Sequence, residues 1–142
     1  MVLDSKKIEK SCSFYVSDFH LEMMLLPYIN KKIDSKENVE ILTEKNLEET
    51  LKILVSKTNL KEENKEKILN LGWNVEKKEI KENSNIIIIG SENFIKEKNK
   101  EIQNINVESI VDCYNFEEVK DNIINIKECY ENQLNTIGNN KF

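Results

Sequence analysis

The single histidine of the chain, His20, lies two positions after Asp18 at the start of a predicted helix. An imidazole titrates near neutral pH, so this pair could act as a general acid, a general base or a ligand pair. A carboxylate in the first turn of a helix is also an ordinary capping group, and a lone histidine in an apolar helix usually packs or faces water. The sequence therefore favours structural roles for both side chains, and we predict no catalytic residue.

Other polar residues follow the remaining predicted strands. Ligands of open parallel α/β sheets bind outside the carboxyl ends of the strands, so these residues form a predicted ligand-binding set. Its members are Asp18, His20, Glu44, Ser91, Asn93 and Asn115. Asp18 and Glu44 could together hold magnesium, but no local spacing requires it. We predict neither a metal site nor a cofactor.

Gly90 and Ser91 could open a helix whose backbone N–H groups bind a phosphate. The chain has only three glycines, and neither G-x-x-x-x-G-K-[ST] nor G-x-G-x-x-G occurs in it. A P-loop and a dinucleotide site are therefore disfavoured, and a serine cap after a strand is the favoured interpretation. Cys113, at the end of a predicted strand, is interpreted as a buried, unreactive thiol.

The element that must position these residues is the run of four isoleucines at 86–89. The run ends at Gly90 and Ser91. A strand with one solvated face alternates apolar and polar residues, and this run does not, so we expect both of its faces to be buried. Helices must then cover both faces. The sequence predicts one α/β domain over residues 1–142: a Rossmann-like three-layer sandwich with a mostly parallel sheet of four to five strands.

Further strands are predicted at residues 13–16, 39–43 and 107–113, the last with one wetter face because its apolar residues alternate. Residues 73–84 give only a weak signal, typical of an edge strand or a loop. We expect residues 1–11 to form a loose leader and residues 139–142 a frayed tail.

Helices are predicted at residues 19–33, 46–55, 60–71, 94–105 and 115–137. Pro27 predicts a kink or a break near Leu26 in the first of them. The predicted caps and terminators are Ser17 or Asp18, Asn46 with Glu49, Asn59 with Gly72, Ser91, and Asn115 with Gly138.

The first predicted helix carries apolar residues on more than one stripe. Such a helix is either heavily buried or presents spare apolar surface to a partner. The candidate partner-binding residues are Met23, Met24, Tyr28 and the single tryptophan, Trp73. Methionine pairs of this kind most often fill a core, and an adaptable binding surface is the alternative.

The formal net charge is −5, and lysines and glutamates are interleaved along the predicted helices. This pattern predicts solvated helix faces rather than a nucleic-acid-binding stripe. No apolar run approaches the roughly 20 residues of a membrane helix, and the first nine residues lack the apolar core of a signal peptide. We expect a cytoplasmic protein with reduced thiols, neither nucleic acid nor membrane as a partner, and an AT-rich bacterial genome as the origin of the Ile, Lys, Asn and Glu bias.

Three stretches of the first third resemble the MEDS type of sensory domain: Phe14-Tyr15-Val16-Ser17 continuing to His20-Leu21, then Leu25-Leu26-Pro27-Tyr28-Ile29, then Val39-Glu40-Ile41-Leu42-Thr43. MEDS domains are similar to the RecA/KaiC core without a working phosphate loop. Here too the first strand leads into its helix through four residues without glycine. The resemblance implies a role in sensing or regulation.

We therefore expect a non-catalytic regulatory or sensory binding module of the bacterial cytosol, acting through a protein partner or as a homodimer. The alternative is a small enzyme acting on a phosphorylated or nucleotide-like ligand at the strand ends. That enzyme would use Asp18, His20, Glu44 and Ser91.

Overall fold

The computed structural model describes residues 8–76 and 79–142. These residues form, in chain order, β1 (Glu9–Tyr15), α1 (Asp18–Asp34), β2 (Asn38–Thr43), α2 (Glu48–Ser56), α3 (Glu62–Leu69), β3 (Ser84–Gly90), α4 (Glu92–Ile102), β4 (Ser109–Asn115), α5 (Phe116–Val119), α6 (Ile123–Lys127), β5 (Asn132–Asn135) and β6 (Gly138–Lys141). The strand order in the sheet is β2-β3-β4-β1-β5-β6. All neighbours are parallel except β6, which runs antiparallel to β5.

The isoleucine strand β3 lies between β2 and β4, and all seven of its residues are buried. Side chains alternate across a strand, so Ile87 and Ile89 face the cluster under α1, α2 and α3, whereas Ile86 and Ile88 face the cluster under α4, α5 and α6. Burial of this run on both faces is confirmed, as is the α/β architecture with a mostly parallel sheet between helices. The described sheet has six strands rather than the predicted four to five.

Three of the predicted caps are formed, those at Ser17, Ser91 and Asn115. The Ser17 hydroxyl accepts the His20 N–H at 3.0 Å and begins α1, and the Ser91 hydroxyl accepts the Phe94 N–H at 3.2 Å and begins α4. α1 continues through Pro27 without the break that the sequence suggested. Burial of Leu26 and Ile29 on either side of the proline holds the helix together despite the missing N–H donor.

The caps predicted for the next two helices are wrong. α2 begins after Leu47, because Leu47 is 1% exposed and its N–H donates to the Trp73 carbonyl at 2.8 Å, which fixes the entry of the helix. Asn46 accepts the Glu48 N–H at 2.9 Å from outside the helix. α3 begins after Lys61, with no side-chain cap. Residues 73–76 and 79–83 form no strand, and residues 77 and 78 lie outside the described ranges.

The single helix predicted over residues 115–137 is also wrong. The chain instead forms two short helices and the β5–β6 hairpin, with Gly138 at φ +135° opening β6. Val119 and Ile126 pack on the α4 face of the sheet, whereas Leu134 packs on the α1 face. One helix cannot bury side chains on opposite faces of a sheet, so the chain returns to the sheet edge as a strand.

The two ends of the chain are more regular than predicted. β1 begins at Glu9, so residues 9–11 of the expected leader belong to the sheet, whereas residues 1–7 lie outside the described ranges. Residues 139–141 of the expected tail pair with β5. Backbone pairing with a neighbouring strand orders both segments.

The prediction that one face of β4 is more exposed to solvent is wrong. β4 lies between β3 and β1, and six of its seven residues are buried, including the charged Asp112. The alternation of the sequence here reflects polar groups that the protein buries, not groups that it exposes.

Candidate functional site

The carboxyl ends of β1 and β4 form the crevice at which a ligand of this fold is expected. The two strands are neighbours, but the helix after β1 covers one face of the sheet and the helix after β4 covers the other. The structure places the predicted ligand-binding residues along this edge, where most of them bond to other groups of the protein.

Glu44 occupies the N-terminus of α4. Its Oε1 accepts the Ser91 N–H at 2.8 Å, and its own N–H donates to the Ile89 carbonyl at 2.9 Å. A carboxylate is thus already seated where a phosphate would bind. Gly90 is required here, because an added Cβ would lie 2.5 Å from the Phe94 ring. Asn93 is exposed on the outer side of the first turn of α4.

Asp18 forms an ion pair with Lys45 rather than a magnesium site with Glu44. The Lys45 ammonium also lies 4.9 Å from the centre of the Tyr15 ring. Beneath it, the 1% exposed Glu22, which sequence reasoning missed, accepts the Thr50 hydroxyl at 2.6 Å, and burial raises the pKa of this carboxyl. An internal cation therefore occupies the position that a metal ion would take among these carboxylates.

The remaining members of the predicted set serve local structure. His20 Nδ1 accepts the Val16 N–H at 3.1 Å and closes the β1–α1 turn. Asn115 accepts the Glu117 N–H at 3.0 Å and caps α5. Cys113 is fully buried, and burial raises the pKa of its thiol well above the usual range, which agrees with an unreactive cysteine.

The four candidate partner-binding residues divide between core and surface. Met24 and Trp73 are 2% and 1% exposed, and the indole N–H of Trp73 donates to the Ile68 carbonyl at 2.7 Å, so both belong to the core. Tyr28 is half-buried and its hydroxyl lies 3.1 Å from Ser109 Oγ. Met23 is 44% exposed.

Met23 belongs to an apolar stripe on the outer side of α1. Its other members are Val16 and Phe19, which are 64% and 61% exposed. Phe19 and Met23, four residues apart, lie on one side of the helix, Val16 precedes the cap Ser17, and the stripe ends at the exposed Pro27. We refer to Val16, Phe19 and Met23 as the α1 stripe.

On the opposite face of the sheet, two polar side chains, Tyr130 and Asn99, contact Asp112, and a third, Tyr114, contacts Tyr130. The Tyr130 hydroxyl donates to Asp112 Oδ2 at 2.6 Å, and Asn99 Nδ2 lies 3.2 Å and 3.3 Å from the two carboxylate oxygens. The Tyr114 and Tyr130 hydroxyls are 2.5 Å apart. Tyr130 gives its only proton to Asp112, so Tyr114 must be the donor in that contact.

Tyr114, Tyr130 and Asp112 form a directed chain of hydrogen bonds, from the Tyr114 hydroxyl through the Tyr130 hydroxyl to the carboxylate. Asp112 is fully buried, and burial raises its pKa, while the bonds from Tyr130 and Asn99 and the charge of Lys10 oppose that shift. Burial and the neighbouring Asp112 also raise the pKa of Tyr130. Both tyrosines therefore remain protonated and act as hydrogen-bonding groups.

An open cleft of about 750 Å³ lies against this chain, between α4, α6 and the sheet. Tyr114, Tyr130 and Asn99 line it, and most of the remaining wall is apolar. This combination of a concave apolar wall, a few convergent polar groups and a carboxyl of shifted pKa is typical of ligand sites. We call it the Asp112 cleft.

Sequence reasoning missed the Asp112 cleft. One signal was available: Asp112 interrupts an apolar run between Val111 and Cys113 in a predicted strand. A charged residue at the centre of a buried strand requires partners. Those partners, Asn99 and Tyr130, lie 13 and 18 positions away on elements whose packing the sequence did not reveal.

Within residues 8–76 and 79–142, no group of three His, Cys, Asp or Glu side chains is arranged to hold a metal ion. The helices of the same part of the chain include none long and apolar enough to cross a membrane.

No protein-family model, no curated protein and no solved structure matches the chain.

Proposed function

We propose that this protein is a non-catalytic regulatory or sensory binding module that takes a small ligand in the Asp112 cleft. One contrast carries the proposal. At the strand ends the polar groups of Glu44, Lys45 and Asp18 are occupied by contacts within the protein, whereas Tyr114, Tyr130 and Asn99, which hydrogen-bond around Asp112, also line an open cleft of ligand size. The similarity of the first third to MEDS-type sensory domains, and a cytoplasmic location, belong to the same proposal.

The internal contacts of the strand ends weigh against the alternative of an enzyme acting on a phosphorylated ligand. Such a ligand would have to displace the Glu44 carboxylate from Ser91 and approach it against like charge. His20 would have to release the Val16 N–H before Nδ1 could take part in proton transfer.

The proposal includes a protein partner, a second copy of this chain, at the α1 stripe. Phe19 and Met23 expose apolar area on one side of a 17-residue helix, and the exposed Val16 precedes that helix. A two-fold axis across such a helix sets the stripe of one copy against the same stripe of the other, so one apolar surface serves both sides of the contact. In this proposal the module senses a ligand through the Asp112 cleft and responds through the pairing of two copies at α1.

The test is thermal unfolding of the full chain against a metabolite library, with two tryptophan variants. Cys129 lines the Asp112 cleft and is exposed, so Cys129→Trp fills the cleft without entering the core. Ile124 lies in α6, five residues before Cys129, is 77% exposed and does not line the cleft, so Ile124→Trp is the matched control.

A ligand of the Asp112 cleft raises the unfolding temperature of the native protein and of Ile124→Trp, and fails to do so for Cys129→Trp. The reason is that a ligand stabilises only a state that can bind it. If no compound stabilises the native protein, or if every stabilising compound acts equally on Cys129→Trp, the proposed function is wrong.

A further inference from the structure

We propose that the Asp112 cleft takes an amphipathic anion, with an apolar body and one anionic head such as a carboxylate. The inference rests on the proposed function, because it names the ligand class of the same cleft. Three features of the wall carry it: its apolar floor, its lysines and the position of its buried carboxylate.

The apolar body follows from the residues along the floor. Ile95, Ile102, Val107, Ile110 and Ile126 all line the cleft, and each is at most 6% exposed. These side chains form an apolar floor, and Ile8, which lines the same cleft, is 38% exposed. A ligand with an apolar body that packs on the floor and covers Ile8 removes apolar area from water, which is the main driving force for binding small molecules.

The anionic head follows from α4. Lys96 and Lys100 are spaced four residues apart, so they share one side of the helix, and both line the cleft. Glu92 is four residues before Lys96 and pairs with it at 3.6 Å. Lys100 is exposed and makes no ion pair within the described part of the chain, so its ammonium group can bind an anion.

The buried carboxylate does not compete for these lysines. Asp112 is fully buried behind the Tyr130 hydroxyl and Asn99. The third lysine of the wall, Lys10, lies 5.5 Å from the centre of the Tyr130 ring, and its charge acts on Asp112. Asp112 thus takes its hydrogen bonds away from the α4 lysines, and Lys100 remains the lysine of the α4 side that can meet an anion.

Cys129 provides a local readout of occupancy. Its thiol is exposed and lines the cleft, whereas Cys12 and Cys113 are fully buried. Burial raises the pKa of Cys12 to about 11 and that of Cys113 well above the usual range, so neither is a competing nucleophile in the folded protein. Neutral iodoacetamide will therefore alkylate Cys129 first, and peptide mass spectrometry identifies the modified site.

The experiment compares the alkylation rate of Cys129 in the full chain with octanoate, octanol or octylammonium, which share one apolar body. We expect octanoate to slow alkylation about tenfold at ten times its Kd, because only the free fraction reacts. Octylammonium gives no protection. The double variant Lys96→Gln, Lys100→Gln loses most of the octanoate protection, whereas Lys52→Gln, on the exposed side of α2 across the sheet, keeps it.

The outcomes separate the inference from the proposed function. Equal protection by all three compounds, or protection that survives in the lysine variant, overturns the anionic head and leaves ligand binding in the cleft intact. Octanoate that raises the unfolding temperature without protecting Cys129 binds elsewhere and overturns the inference. If none of the three protects Cys129, the ligand class is wrong, and the library screen with Cys129→Trp decides the proposed function independently.

Discussion

Replacing Tyr130 with phenylalanine removes one hydroxyl and two hydrogen bonds from the chain that ends at Asp112. The carboxylate loses its 2.6 Å donor and keeps only Asn99, at 3.2 Å and 3.3 Å. The Tyr114 hydroxyl loses the acceptor that lies 2.5 Å away. The matched control is Tyr28→Phe, which removes one hydroxyl next to the neutral Ser109.

The expected loss of stability follows from these two bonds. A hydrogen bond to a charged group contributes about 1.5–3 kcal/mol, and leaving a buried hydroxyl without a partner costs about 1 kcal/mol or more. Tyr130→Phe should therefore lower the free energy of unfolding by about 3 kcal/mol at neutral pH. Tyr28→Phe loses a neutral bond and should cost about 1 kcal/mol.

The two variants should also differ in their pH dependence. Burial raises the pKa of Asp112 in the folded state, so its contribution to stability is fully present below the pKa of an unfolded aspartate, about 3.9. That contribution is lost as the pH rises through the folded pKa. Tyr130 favours the ionised form, so its removal raises the folded pKa further and makes the loss larger. The deficit of Tyr130→Phe should thus grow from about pH 4 to about pH 7, while that of Tyr28→Phe stays constant over the same range.

Urea unfolding followed by circular dichroism at both pH values measures these deficits. If Tyr130→Phe and Tyr28→Phe cost the same at neutral pH, the Asp112 carboxylate does not depend on the tyrosine. A Tyr130→Phe deficit that does not change with pH would show that Asp112 stays neutral in the fold, and the electrostatic account of the cleft would fail.

Three further predictions test other parts of the molecule. Ile88→Ala should cost about 2–5 kcal/mol in urea unfolding, since the side chain is fully buried in the central strand; a loss below about 1 kcal/mol would contradict the placement of β3. Phe19→Ser should convert a dimer to a monomer in light scattering while changing monomer stability by less than about 0.5 kcal/mol. The control is Ile53→Ser on α2, where the native side chain is 58% exposed, and this variant should leave the dimer intact. A native protein that is monomeric at all concentrations excludes a second copy as the partner. Glu44→Ala should lower stability by about 1 kcal/mol and create inorganic phosphate binding at the freed Ser91 N–H, measured by calorimetry. Unchanged stability would mean that the carboxylate does not hold the helix N-terminus.

Local sequence patterns predicted the elements that local forces decide. A solvent-exposed face on β3 would leave two of its four isoleucines in water. Their burial between two helical layers therefore followed from hydrophobicity alone. Ser17 and Ser91 bond to backbone groups three residues away, so their caps could be predicted from spacing. The same local logic failed at residues 115–137, where a helical spacing of apolar residues was real but its members pack on opposite faces of the sheet.

Local sequence patterns did not predict most contacts of the candidate site. The sequence placed Asp18, Glu44 and Ser91 at the strand ends, but the contacts that occupy them depend on the side chains of distant elements. Lys45 reaches Asp18 across 27 positions, and Glu44 reaches Ser91 across 47.

Patterns among neighbouring residues were enough to predict an α/β protein built on a strand buried on both faces, because hydrophobic burial and helix capping act between neighbours in the chain. The ion pair and hydrogen bonds that occupy the strand ends, and the partners of Asp112 beside an open cleft, became visible only in the folded chain. A buried charge is stable only where groups distant in the chain form hydrogen bonds or ion pairs with it. The packing of the helices on the sheet brings those groups into position.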